Sequence, residues 1–310
     1  MAEKIATRAS YGKALVELGA ENPDMVVLDA DLSGSTQTKK FAEVYPDRFF
    51  NAGIAEANMM GMAAGLAISG KTVFASSFAM FASGRAYEII RNSIAYTGAN
   101  VKVCATHAGV TVGEDGASHQ CIEDISLMRG IPGMIVLNPA DDVSARALIK
   151  AAAAYKGPVY IRLGRAAVPV IYEEGKTFTI GKALRVREGS DAAILATGIL
   201  VDAALKAADL LAAEGISCRV LDVHTIKPLD KEEVLAAARE CGRIVTAEEH
   251  SVIGGLGSAV AEVVSEEAPC KVVRVGVKDV FGQSGTPADL LKAYGLTPED
   301  IAAAVKEAMN

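Results

Sequence analysis

Short apolar, β-branched runs at residues 25–29, 72–75, 101–105, 134–137 and 159–162 alternate with stretches of helical character through the first half of this chain. A strand that is apolar on both faces must be covered on both faces. The alternation therefore predicts a mostly parallel sheet flanked by helices. Helices are expected at 7–19, with Thr7 at the capping position and Gly19 at the close, and at 141–154 after Asn138-Pro139. Past Pro169 the pattern halts in the polar, turn-rich Tyr172-Glu173-Glu174-Gly175-Lys176-Thr177. A second series then starts, with strands at 192–196, 218–222, 243–247 and 271–275 and alanine-rich helices such as 200–214 between them. A chain of 310 residues exceeds one comfortable core. The expected fold class is α/β with two domains, residues 1–172 and 188–310, each a mostly parallel sheet covered by helices and joined by a linker at 173–187.

Charge and composition remove several classes of function. A net charge of −7, 5% aromatic residues and no Trp disfavour a nucleic-acid binder, which needs a basic track and stacking surfaces. A few local arginines still suffice for a phosphorylated small molecule. The most apolar stretch, 59–68, is too short to cross a bilayer and ends in Ser69-Gly70-Lys71. The charged N-terminus carries no apolar core of a secretory signal. Five widely spaced cysteines, at 104, 121, 218, 241 and 270, form no ligand-like cluster and read as reduced core thiols. The expected setting is cytoplasmic, with no membrane and no nucleic-acid partner.

Two segments carry chemistry. In Asn51-Ala52-Gly53-Ile54-Ala55-Glu56, a carboxylate opens a helix whose next eleven residues are small or apolar except for Asn58. Burying it is costly unless it caps the helix N-terminus or meets a ligand. The second segment, Ala105 to Gln120, leaves the C-terminal end of a predicted strand, where open α/β sheets place their ligands. It brings His107, Glu114, Asp115 and His119 onto one glycine-rich loop, and a loop so long in a compact domain is usually functional.

Together with Ser77-Phe78-Ala79-Met80-Phe81, Asn138-Pro139-Ala140-Asp141, Arg165, Glu248-Glu249-His250 and Gly254-Gly255-Leu256-Gly257, these segments resemble transketolase over essentially the whole chain. The first half is similar to its pyrimidine-binding domain and the second to its C-terminal domain. The E-D-G-x-x-H-Q loop at 114–120 is the specific part. The resemblance implies a transferase that moves a two-carbon ketol unit from a ketose phosphate to an aldose phosphate with thiamine diphosphate as the electron sink. It implies Glu56, His119 and His107 as catalytic residues. Glu56 would bond N1′ of the aminopyrimidine, a role suited to a shielded carboxyl. Phe78 and Phe81 would enclose that ring, with Asp31 a further cofactor-proximal acid. His119 would face the substrate carbonyl oxygen, Asp115 the donor's hydroxyl, and Arg8, Ser35, Arg165 and His107 the substrate phosphate.

Departures from the family pattern are as informative. Gly84 stands where a further aromatic often closes the pyrimidine pocket, and Ala57-Asn58 follow the glutamate where His or Gln is more usual. No Gly-Asp-Gly with a downstream Asn is present, so this chain offers no metal site for the diphosphate. The resemblance therefore implies the C-terminal subunit of a split transketolase, taking Mg²⁺ or Ca²⁺ and the diphosphate through an N-terminal partner subunit in an α₂β₂ heterotetramer of the pentose phosphate pathway. Its rivals are the β subunit of a 2-oxo acid dehydrogenase and a non-catalytic assembly subunit of the same fold. Gly255-Leu256-Gly257 is too weak for a dinucleotide motif and reads as close strand–helix packing, while His224 and His250 read as structural.

Overall fold

The computed structural model describes residues 3–310 and contains three sheets. The largest has seven strands in the spatial order Thr225–Lys227, Ile135–Leu137, Val159–Arg162, Val101–Thr106, Thr72–Phe78, Met25–Asp29 and Phe49–Asn51. All are parallel except Thr225–Lys227, which runs antiparallel to Ile135–Leu137. The central strands Met25–Asp29, Val101–Thr106 and Val159–Arg162 are buried at every position, as their apolar composition requires.

Successive side chains feed opposite faces of this sheet. Val26, Leu28, Val73, Ala75, Val101 and Val103 pack with Met59, Met60, Ile90 and Met128 of one helical layer. Met25, Val27, Phe74 and Cys104 pack with Tyr11, Leu15, Phe41 and Leu148 of the other. Each Val, Leu, Ile, Phe or Met among them contributes about 1.5–3 kcal/mol of burial free energy.

The helix predicted at 7–19 runs from Thr7 to Glu21, and Thr7 does not cap it. Its hydroxyl instead accepts the Gly164 N–H at 2.8 Å, tying the helix start to the end of Val159–Arg162. A two-stranded ribbon, Lys4–Ala6 against Ala167–Pro169, reinforces the junction. Gly19 lies inside the helix rather than closing it, at a point where a Cβ would meet the Tyr45 ring at 2.5 Å.

The second domain holds a five-stranded sheet in the order Lys271–Val277, Arg243–Ser251, Ala192–Ala196, Cys218–Asp222 and Leu184–Arg187. Only Leu184–Arg187 is antiparallel. Helices Leu200–Ala213 and Pro298–Met309 cover one face, and Lys231–Cys241 and Leu256–Glu267 the other. Two of these features lie outside the sequence-based division. Leu184–Arg187 falls in the segment read as linker, and Thr225–Lys227 leaves the second domain's chain to complete the first domain's sheet. Among the described residues no helix is long and apolar enough to cross a membrane.

Candidate active site

The parallel strands of the large sheet end level with one another. Asp29 pairs with Asn51 and Ser76, Phe78 with Thr106, and Ala105 with Arg162. From Met25–Asp29 the chain goes outward to Phe49–Asn51 and then crosses to Thr72–Phe78 on the other side, which makes this a topological switch point. Ligands of open α/β sheets bind outside the carboxyl ends of strands at such points. Asp31, Ser35, Glu56, Phe78, Phe81, His107 and Arg165 all lie at or just beyond these strand ends, so the fold gathers residues far apart in sequence onto one edge.

Glu56 is the first residue of the helix Glu56–Ile68 and is only 4% exposed. Its carboxylate makes no hydrogen bond or ion pair among the described residues, and it does not cap its own helix. An acid this enclosed, with no protein group to satisfy it, costs stability unless water or a ligand reaches its oxygens.

Four rings lie nearby in one cluster. Phe78 stacks on His107 with centroids 3.8 Å apart and on Phe81 at 5.9 Å. His119 meets Phe81 edge-on at 5.4 Å. Phe81 rides on Met80–Arg85, which is wound as a π-helix, an irregularity frequent at functional sites.

His107 takes a left-handed backbone with φ 58°, strain that a non-glycine residue adopts only where its surroundings enforce it. Burial, and then the positive charges of Arg8 and Arg165, push its pKa down to about 3. The ring is therefore neutral at physiological pH. Arg8 Nη1 lies 3.4 Å from Nε2, and since guanidinium can only donate, Nε2 is the acceptor and Nδ1 carries the proton toward Thr106 Oγ1 at 2.9 Å.

Arg8 Nη1 also donates to the Ser35 carbonyl at 2.7 Å, so Ser35 meets Arg8 through its main chain rather than its hydroxyl. Among the described residues no carboxylate pairs with Arg8, whose pKa is lowered by burial and by Arg165. Arg165 Nη1 donates to the Val112 carbonyl at 2.5 Å and to Glu114 at 3.0 Å. The result is an excess of positive charge beside a neutral imidazole, suited to an anion.

Asp115 is exposed on the loop and free of protein partners among the described residues, while half-buried His119 has Ser118 Oγ 3.0 Å from Nδ1. Asp31 is exposed, has φ 65°, and is held by Asn51 through reciprocal bonds of 3.1 and 2.9 Å.

Three supporting residues gain their roles only from the fold, although Gln120 and Glu249 stand in motifs quoted above. Buried Asp29 accepts from the Leu32 N–H at 2.6 Å and the hydroxyls of Thr36 and Thr38 at 2.6 and 2.9 Å, shaping the segment that carries Asp31 and Ser35. Gln120 donates to the carbonyls of Val110 and Gln283. Glu249 accepts from the Thr111 N–H at 2.6 Å. An acid ending an apolar strand before a Ser/Thr cluster is a readable signal for Asp29. Contacts spanning 163 and 138 residues have no local signal.

Glu248 accepts the Leu256 and Gly257 N–H groups at 2.7 and 2.8 Å, which occupies the helix start that a dinucleotide would need. A Cβ on Gly257 would meet Arg274 and Thr246 at 2.8 Å, in keeping with close packing. His224 and His250 are both fully buried. Among the described residues no group of three His, Cys, Asp or Glu side chains is placed to hold a metal ion.

Residues 3–170 match the transketolase pyrimidine binding domain and residues 181–301 the transketolase C-terminal domain. A putative transketolase C-terminal section from Methanocaldococcus jannaschii is 54% identical over 98% of this chain and 96% of its own length. Transketolase from Homo sapiens is 40% identical over 98% of this chain but only 49% of its own. A solved structure described as a split-gene transketolase, an inactive β₄ tetramer, is 57% identical, with a TM-score of 0.92 over 99% of both chains.

Proposed function

The chain belongs to the transketolase family, spanning its pyrimidine-binding and C-terminal domains, and from that premise we propose that it is the pyrimidine-holding half of a ketol transferase completed by a second subunit. The observation that carries the reading is Glu56, a buried carboxyl without a protein partner at the sheet's switch point. An aminopyrimidine suits that carboxyl chemically, since its ring nitrogen bonds a carboxyl and its flat face stacks on an aromatic ring such as Phe78 or Phe81. Thiamine diphosphate, when bound, supplies a nucleophilic carbon and an electron sink.

The chain's own side chains supply the rest. Glu56 holds a proton at the ring nitrogen, away from water. His119 donates a hydrogen bond to the carbonyl oxygen of a ketose as charge develops there, and Asp115 takes the donor's adjacent hydroxyl. Arg8, Arg165 and neutral His107 receive the sugar phosphate, with Ser35 and Asp31 bordering them. His107 donates nothing from Nε2 while Arg8 occupies it, so its contribution depends on how the phosphate redistributes that contact. The diphosphate and its divalent ion fall to a partner chain, for which an α₂β₂ assembly is the simplest closed arrangement. The inactive tetramer formed by a β subunit related to this chain supports the need for that partner.

Mixing the chain with a diphosphate-domain subunit, thiamine diphosphate, Mg²⁺, a ketose phosphate and an aldose phosphate should give two-carbon transfer that neither chain gives alone. Glu56→Gln should lower the rate by at least about 100-fold while leaving assembly intact. Full turnover by this chain alone, or normal rates in that variant, would overturn the reading.

A further inference from the structure

The second domain reaches into the first at one point that the ketol-transfer chemistry does not use. The ladder between Arg243–Ser251 and Lys271–Val277 is regular up to Ala247↔Val275 and resumes only at Ser251↔Val277. Four steps on one strand therefore match two on the other, and the bulge aims consecutive acids in different directions. Glu248 turns to the helix start of its own domain. Glu249, 2% exposed, leaves its domain altogether and accepts the Thr111 N–H at 2.6 Å.

The substrate-facing loop is wrapped against that carboxylate. Gly109 has φ +82°, and a Cβ there would lie 2.2 Å from the Glu249 carboxyl carbon. His107 stands two residues before Gly109. Asp115 and His119 follow Thr111 through Gly113, another left-handed glycine at φ +90°. The acid is itself pinned, because Arg162 Nη2 donates to the Glu249 carbonyl at 2.8 Å while Arg162 Nε pairs with buried Asp124 at 2.9 Å. Residues Gly282 to Ser284 press on the loop from its other side, where Gln120 donates to the Gln283 carbonyl at 2.9 Å. The Glu249 carboxylate makes its only hydrogen bond, among the described residues, to the first domain.

We propose that Glu249 is a positioning residue: from the second domain it fixes the turn at 109–113 and thereby sets where Asp115 and His119 meet the donor sugar. The inference rests on the substrate-facing roles given above to those two residues. Misplacement of reacting groups by about 1 Å can cost about 100-fold in rate. A residue that only stabilised the fold would instead change how much enzyme is folded, leaving the donor KM alone.

The test uses the complex with the diphosphate-domain subunit and, separately, amide exchange on this chain. Glu249→Ala and Glu249→Asp, which withdraw the acceptor from Thr111, should raise the donor KM and lower kcat, with kcat/KM down by about 100-fold. Glu249→Gln keeps an acceptor in reach and should stay within about fivefold of wild type. Exchange across residues 109–120 should quicken in Glu249→Asp and not in Glu249→Gln, with the Ala192–Ala196 strand still protected in both. Glu249→Asp also serves where the alanine variant fails to fold. Unchanged loop exchange in Glu249→Asp, or a kcat loss that tracks folded fraction at constant donor KM, would overturn the proposal. Absence of ketol transfer by the wild-type complex would instead strike the functional reading, and the exchange comparison would still decide the anchor.

Discussion

Asp124 and Glu56 are both buried acids in the first domain, yet their surroundings give them opposite meanings. Asp124 Oδ2 accepts from Tyr160 OH at 2.8 Å and Arg162 Nε at 2.9 Å, a set whose disruption costs about 3–5 kcal/mol. Glu56 has no such set among the described residues, which is why the proposed function gives it to a ligand and Asp124 to the fold. His107 supports a prediction of its own. Its folded pKa of about 3 lies below the ordinary 6.5, so it adds stability above the unfolded value that is lost as pH falls toward the folded one. Fully buried His224, lowered to about 4 by burial, has the same sign, while Asp222, raised to about 7 by burial, has the opposite one. Between about pH 6.5 and 4 the unfolding midpoint of wild type should therefore fall more steeply than that of His107→Gln. Parallel melting curves across that range would refute a neutral, buried ring. Glu56, His107 and His119 stand out in the sequence because each departs from its apolar or glycine-rich context, whereas Phe78 is singled out only by the motif around it; the structure gathers Phe78, His107 and His119 into one ring cluster. The electrostatic state of His107 was not legible, since it is set by burial in the folded chain and then by Arg8 arriving from 99 residues away.

At the scale of elements, the buried strands were readable because a stretch apolar on both faces admits few alternatives. The returning strand Thr225–Lys227 and the edge strand Leu184–Arg187 were not, since three or four residues give too short a pattern and their pairing is set by distant partners. The helix Glu56–Ile68 shows how composition alone misleads. Its small and apolar residues look uniformly fit for a core, but Met59, Met60, Ala63 and Ala64 are buried while Ala57, Asn58, Gly61, Met62, Gly65 and Ile68 are exposed. The outer stripe starts beside the unpartnered carboxyl, and Gly65 has open space around it. If the diphosphate-domain subunit seats here, Gly65→Glu should leave the unfolding free energy within about 1 kcal/mol of wild type. It should also weaken subunit association at least about tenfold, as measured by titration calorimetry or sedimentation. Unchanged affinity would place the partner elsewhere.

For the whole molecule, the division into two sheets understates how tightly they are joined. Thr225–Lys227 pairs with Ile135–Leu137, Ile226 enters the first domain's core, and the Asn138 N–H donates to the His224 carbonyl at 2.9 Å. A fragment ending near residue 180 would expose Ile135–Leu137 as an unprotected edge. It should aggregate where the full chain remains dispersed, as light scattering would detect, and a monodisperse, folded fragment would contradict this. The same short strand acts as a clasp between the halves. A chimera that replaces the second domain with one from a relative must bring a segment that fits the first domain's edge, so the halves are not interchangeable as independent modules.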